Sequence, residues 1–124
     1  MVTNIKGQAD AVLIRALEPM TGLDTMRERR NYTKAKLASG PGTLAQAMGI
    51  HVSMTGADLL SDQIWIGTNG DENDFEIYAD TRIGVEYAEE DALKPWRFII
   101  AGNKFVSKGI KKSPANHTGL QIIH

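Results

Sequence analysis

Residues Ala11 to Pro19 read AVLIRALEP, and few segments limit a fold more. Apolar side chains fill most positions, and Pro19 closes the run. In a strand, successive side chains point to opposite faces. Leu13, Arg15 and Leu17 then share one face, and Val12, Ile14 and Ala16 share the other. Both faces are mostly apolar, which is the pattern of a strand covered on both sides. The segment ADAVLIRALEP is therefore expected to be a buried strand. Arg15 is the exception within it. An unpaired buried charge is very costly, so an inward arginine needs a carboxylate. Glu18 faces the opposite side and is a poor partner. A paired arginine and carboxylate can orient and tune a catalytic acid or base. The plainer alternatives are a strand-end arginine reaching solvent and a structural ion pair.

The next segment, TGLDTMRERR, reads as a helix, with Thr21 as a cap and Asp24 three residues later. Leu23 and Met26 are expected to face the core, with Arg27 and Arg30 at its rim. Arg29, Lys34 and Lys36 extend a basic surface. LASGPGTLAQAMGI, residues 37–50, carries no charge. Ser39 or Gly40 can cap a second helix, and Pro41 suits its first turn, where no N–H is needed. Leu44, Ala47 and Met48 form one helical face, and Gly49 ends it. ADLL reads as another helical turn. Beyond it the pattern changes to strands: QIWIGT, then an Asn-Gly turn in TNGDEN, then DFEIYADTRIGVEYA with a break near Asp80, then PWRFIIAG. Trp65 and Trp96 lie within apolar strands and read as core. The polar, glycine-containing tail, residues 108–124, is expected to be poorly ordered. Together these elements predict a single mixed α+β domain with a mostly antiparallel sheet and short helices.

At 124 residues the chain has the length of one domain. It lacks cysteine, so disulfides and thiolate chemistry are excluded, and a soluble protein of a reducing, cytoplasmic compartment is expected. The net charge of −1 is unevenly spread. Residues 1–38 carry +3, residues 39–70 carry −2, residues 71–91 carry −8 and residues 92–124 carry +6. Such segregation suits a protein with one basic and one acidic face, although ordinary solvated patches also account for it. The acidic YAEED run reads as a solvated face.

The uncharged helix entrance offers chemistry of its own. The first turn of a helix leaves backbone N–H groups unpaired and carries a partial positive charge. Glycines allow close approach, and a phosphate is a natural guest. No carboxylate lies between Glu28 and Asp58 to repel it. The alternative is an ordinary cap with glycines for packing. Other constellations fail. His51, His117 and His124 lack metal-ligand spacing, SGPGT lacks a phosphate-loop lysine, and no nucleophile-elbow sequence occurs.

Five segments, in this order, resemble the alkyladenine type of 3-methyladenine DNA glycosylase: AVLIRALEP, GLDTMRERR, SGPGTLAQAMGI, RIGVEYA and KPWRFIIAGNKFVS. The resemblance runs from about Ala11 to Ser107. It implies a fold built around a curved antiparallel sheet. It also implies base-excision repair of double-stranded DNA carrying alkylated purines. The damaged purine is flipped into a pocket, and a glutamate activates water to hydrolyse its N-glycosidic bond. No strand cleavage, metal or other cofactor is implied. Carried onto this sequence, the resemblance makes Arg15 a holder of the glutamate and its water, and the backbone carbonyl of Ile83 a second contact to that water. Arg30, Ser39, Gly40, Gly42 and Thr43 fall at the DNA backbone. Thr43 stands where the family pattern carries a lysine, which weakens one phosphate contact. The resemblance covers little more than the second half of the family domain. The catalytic glutamate, the intercalating tyrosine and the aromatic and histidine residues that grip the base have no counterpart here. The chain is accordingly expected to be a fragment that is marginally stable or self-associating through an exposed sheet edge, and inactive alone. A non-catalytic DNA-backbone-binding fragment is the rival expectation.

Overall fold

The computed structural model describes residues 1–8, 10–68, 76–106 and 121–123. It divides into two compact units, Met1–Asn69 and Gly70–His124. Short helices in the first and an antiparallel sheet in the second give the expected α+β composition.

The first unit begins with a short antiparallel pairing. Val2 bridges Ala11, the Thr3 N–H donates to the Asp10 carbonyl at 3.1 Å, and the Val12 N–H donates to the Met1 carbonyl at 2.9 Å. Helix α1 spans Leu23–Arg30 and helix α2 spans Pro41–Met48. Their contact is the centre of this unit. Ala38, Leu44 and Ala47 are buried together, with Met26 of α1 and Ile50 packed against them. Leu37, immediately before α2, is fully buried. The α2 prediction holds in detail. Gly40 is the N-cap, Pro41 is the first helical residue, and Gly49 closes the helix at φ 69°. Only Met48 departs, being half-exposed rather than buried. In α1 the N-cap is Gly22 in the left-handed region, at φ 69°, and no side chain caps it. Thr21 is thus displaced from its expected role, because a glycine can bend the chain into the helix without a hydroxyl.

Of the strand expected over residues 9–19, the described residues form only the Val2–Ala11 bridge. From Val12 to Met20 the chain runs without turn, bend or ladder. A strand exists only through partners for its backbone, and this segment has them only at its ends, through Val12 and Leu17, whose N–H donates to Ala38 at 2.9 Å. Its apolar side chains are correspondingly uncovered. QIWIGT likewise forms no strand, and Leu60 bridges Trp65 across a short loop. ADLL forms no helix. Asp58 instead closes a single turn, its carboxylate accepting from the Leu60 N–H and its carbonyl from the Ser61 hydroxyl. A short 3₁₀ turn occurs earlier, at Val52–Met54.

In the second unit, β1 (Ile77–Asp80) lies between β2 (Arg97–Ile100) and β3 (Gln121–Ile123), antiparallel to both. The break expected near Asp80 is the end of β1. Asp80 pairs with Arg97 across the ladder at 2.5 Å, and Arg97 Nε donates to the Thr81 carbonyl at 2.8 Å. RIGVEYA then leaves the sheet, and Glu86–Leu93 forms 3₁₀ turns broken at Glu89, where φ is 49°. The acidic run lies on this exposed segment, as expected of a solvated face. Ala79, Ile99 and Phe105 are the buried apolar residues among those described in this unit. Within the expected tail, Gln121–Ile123 forms β3 and pairs with β1. The Asn-Gly turn lies outside the described residues, as do residues 107–120.

Both tryptophans, expected in the core, are exposed: Trp65 by 66% and Trp96 by 50%. Trp65 sits in the loop that failed to become a strand. Trp96 precedes β2, and its ring is flanked by the Arg82 guanidinium at 5.1 Å and the Lys94 ammonium at 4.7 Å.

Candidate nucleic-acid interface

Two consecutive arginines at the end of α1 hold α2 at both ends. Arg30 Nη1 donates to the carbonyls of Lys36 (3.0 Å) and Leu37 (2.8 Å), the segment leading into SGPG. Its guanidinium also lies 4.5 Å from the Tyr32 ring. Arg30 Nε is buried without a partner among the described residues. Arg29 Nη1 donates to the carbonyl of Ala47 at 3.2 Å, near the other end of α2. Gln46 returns the contact, its side-chain amide donating to the Arg29 carbonyl at 3.2 Å. Sequence reasoning counted Arg29 only as surface charge. The clue it offered was Gly49, whose missing side chain leaves the space that the Arg29 guanidinium fills.

At the mouth of α2, the Gly40 N–H donates to the Thr43 hydroxyl at 3.0 Å, and that hydroxyl donates back to the Gly40 carbonyl at 2.9 Å. Thr43 thus closes the turn on itself. The amides of Gly42 and Thr43 have no carbonyl within the helix to reach. No acidic residue lies in this first turn. Ser39 and Gly40 are half-buried and Gly42 is exposed. A negative group placed there would meet two N–H donors and the positive end of α2. Arg30, Gly40, Gly42 and Thr43 are therefore brought to one region, with Ser39 in the chain that joins them.

Arg15 belongs to the same unit and is half-buried. Two residues on, Leu17 bonds to Ala38, so Arg15 lies on the segment tied to the α2 lead-in. Among the described residues Arg15 has no hydrogen-bond or ion-pair partner. Ile83 lies in the second unit and is half-buried. Its neighbour Arg82 donates from Nη2 to the Asp91 carbonyl at 2.9 Å, while Asp91 pairs with Lys94 at 2.6 Å. That pairing holds the Asp91 carboxyl below its ordinary range. Arg82, Asp91, Lys94 and Trp96 thus brace the loop that carries Ile83. Sequence reasoning missed this group, because cations on a ring leave no periodic signal.

The sequence model of the methylpurine-DNA glycosylase family matches residues 1–104. A relative from Alkaliphilus oremlandii, named "Putative 3-methyladenine DNA glycosylase", is 44% identical over 117 residues, which are 87% of this chain and 57% of the relative. Relatives of the same name from Natranaerobius thermophilus (42% identical; 86% of this chain, 56% of the relative) and Clostridium novyi (40% identical; 87% and 57%) match similarly. The chain spans about half the length of these curated relatives. With a family match over most of its residues, the chain belongs to the methylpurine-DNA glycosylase family.

Proposed function

We propose that this chain serves a DNA-3-methyladenine glycosylase of base-excision repair, one that hydrolyses the N-glycosidic bond of an alkylated purine flipped out of duplex DNA. In this reading the α2 mouth takes a DNA phosphate on the amides of Gly42 and Thr43, with Ser39 and Gly40 giving room for the backbone. Arg30 holds the segment leading into that mouth through the Lys36 and Leu37 carbonyls and adds its positive charge there. Arg15 serves to orient a carboxylate and its water, and the Ile83 carbonyl, in the second unit, serves as a contact to water. The reaction leaves an apurinic site without cutting the strand. The observation that carries the DNA-binding part is the uncharged α2 mouth, built on an arginine-held lead-in.

The solitary state of Arg15 favours a second reading for the chain by itself: grip on the DNA backbone without chemistry. One pair of assays separates the two. Excision of methylated adenine from a duplex by the isolated chain supports the first. Binding without excision supports the second, and affinity then falls as salt rises. Arg30→Ala reduces the slope of log affinity against log salt by about 1 if Arg30 meets a phosphate. An unchanged slope removes Arg30 from the interface.

A further inference from the structure

We propose that the loop over residues 60–66 of the first unit is a binding site for a small alkylated ammonium ion with an apolar body, held between the Trp65 ring and the Asp62 carboxylate. The inference rests on this loop alone and not on the excision reading.

The loop is braced by its own bonds. Leu60 and Trp65 are antiparallel bridge partners. The Ile66 N–H donates to the Leu59 carbonyl at 3.1 Å, so Leu59 and Ile66 occupy the bonded position. Leu60 and Trp65 then occupy the non-bonded one, where opposing side chains stand closer together. Asp58 ties the base of the loop. Its carboxylate accepts from the Leu60 N–H at 2.9 Å, and its carbonyl accepts from the Ser61 hydroxyl at 2.7 Å. A frame already fixed in this way loses little freedom when a ligand enters.

The frame presents an open cleft of about 480 Å³ lined by Leu60, Ser61, Asp62, Trp65 and Ile66. That is within the usual range of about 300–1,000 Å³ for small-molecule sites. Its walls are apolar and bare: Leu60 is 88% exposed, Trp65 66% and Ile66 53%. The two neighbouring acids play different parts. Asp58 is spent on the loop, whereas Asp62 has no hydrogen-bond or ion-pair partner among the described residues. The Ser61 hydroxyl is committed to Asp58. The cleft therefore offers one free charge, a negative one, beside an aromatic face. A cation is drawn to both, by the ring quadrupole and by the carboxylate. Donor count then chooses among cations. A guanidinium brings five N–H donors and a primary ammonium three, more than one carboxylate satisfies between apolar walls. Alkylation removes donors, keeps the charge and adds apolar surface for Leu60 and Ile66. An anion is repelled, so this site and the α2 mouth have opposite charge preferences.

The test uses the full chain carrying Trp96→Phe, which leaves Trp65 as its single tryptophan. Benzyltrimethylammonium chloride is titrated at constant chloride while Trp65 emission is followed. The expected result is a saturable change with a dissociation constant of about 1 mM, and at least fivefold weaker binding of the neutral benzyl alcohol. Asp62→Asn weakens binding of the cation at least threefold, with helix ellipticity unchanged. Asp62→Glu, which keeps the charge, stays within twofold. So does Glu28→Gln, which removes an exposed charge elsewhere in the unit. Ligand-detected NMR on the Trp65→Leu chain reads the part played by the ring, and binding there is at least threefold weaker. Absence of saturation up to about 50 mM overturns the proposal, far above the value that the ring and carboxylate together predict. Equal binding of benzyl alcohol overturns it by leaving only an apolar cleft, and so does binding that survives Asp62→Asn within twofold. Tighter binding of N-acetyl-arginine amide also overturns it, by assigning the cleft to an arginine side chain of a partner protein. None of these readouts involves DNA, so the result of the excision assay leaves the outcome unchanged.

Discussion

Gly22 and Gly49 make a matched pair for measuring what the α1–α2 clasp contributes. Both adopt φ 69°, one before α1 and the other after α2. Alanine at either position enters the left-handed region, at a cost of about 1–2 kcal/mol. Their surroundings differ. A Cβ on Gly22 meets nothing within 4 Å. A Cβ on Gly49 lies 3.0 Å from Arg29 Cζ and 3.1 Å from Nη1, the nitrogen that donates to Ala47. The guanidinium must move, and its hydrogen bond goes with it. A half-buried bond from a charged donor, long at 3.2 Å, contributes about 1 kcal/mol. Gly49→Ala should therefore destabilise the first unit by about 1 kcal/mol more than Gly22→Ala. Urea unfolding followed by helix ellipticity measures this, since both described α-helices lie in that unit. The decisive control repeats Gly49→Ala in an Arg29→Ala background, where its cost should fall to that of Gly22→Ala. Equal costs for the two single glycine variants, or an excess that survives removal of Arg29, would refute the reasoning.

Other outcomes follow from the same geometry. Asp80→Ala should destabilise the second unit by about 2–3 kcal/mol in urea, because it takes the carboxylate away from a nearly buried Arg97; Asp91→Ala, which loses an exposed pair, should cost clearly less. Thr43→Lys should steepen the salt dependence of DNA binding by about 1 in log–log slope. It should also lower stability by about 1 kcal/mol, through loss of the hydroxyl that closes the α2 turn. The Asp91 carboxyl is held below its ordinary value by Lys94, so its contribution is complete above that ordinary value and is lost as pH falls through the lowered one. Trp96 fluorescence should change in that acid window, because Lys94 leaves the ring when its partner is protonated; Asp91→Asn should abolish the change.

What the sequence made legible was local. α2 could be read almost residue by residue, because Pro41 fixes its own φ at the first turn and Gly49 suits the left-handed position that closes the helix, both without help from the rest of the fold. β1 and β2 were visible for a similar reason, and the end of β1 at Asp80 was marked by an acidic residue that later paired with Arg97. Misreadings arose where a pattern named a requirement that the chain does not itself meet. AVLIRALEP reads as a covered strand, and Trp65 and Trp96 read as core, but an apolar pattern states only what a segment can bury against. β3 was missed for the converse reason: backbone bonds to β1 need no apolar alternation in the strand that supplies them.

Arg15 and Arg30 show why the candidate site was less legible than the fold around it. Arg15 sits between apolar neighbours and Arg30 was read as continuing the Leu23–Met26 stripe of α1, and the resemblance placed both at the functional surface. Structure separates them by their bonds. Arg30 commits one nitrogen to two carbonyls and stacks on Tyr32, so its removal perturbs the α2 lead-in whether or not DNA is present. Arg15 commits nothing among the described residues, so its removal should barely alter the isolated chain. Stability and binding must therefore be measured together. Arg30→Lys keeps the charge but replaces a planar fork with a single flexible ammonium. If shaping the α2 mouth is the larger part of its role, Arg30→Lys should destabilise the first unit nearly as much as Arg30→Ala while keeping most of the salt slope. Arg15→Ala should leave urea unfolding unchanged to within about 0.5 kcal/mol, the ordinary range for surface substitutions. A larger loss from Arg15→Ala would mean that its charge is already satisfied within this chain, and the argument for an incoming carboxylate would fall with it.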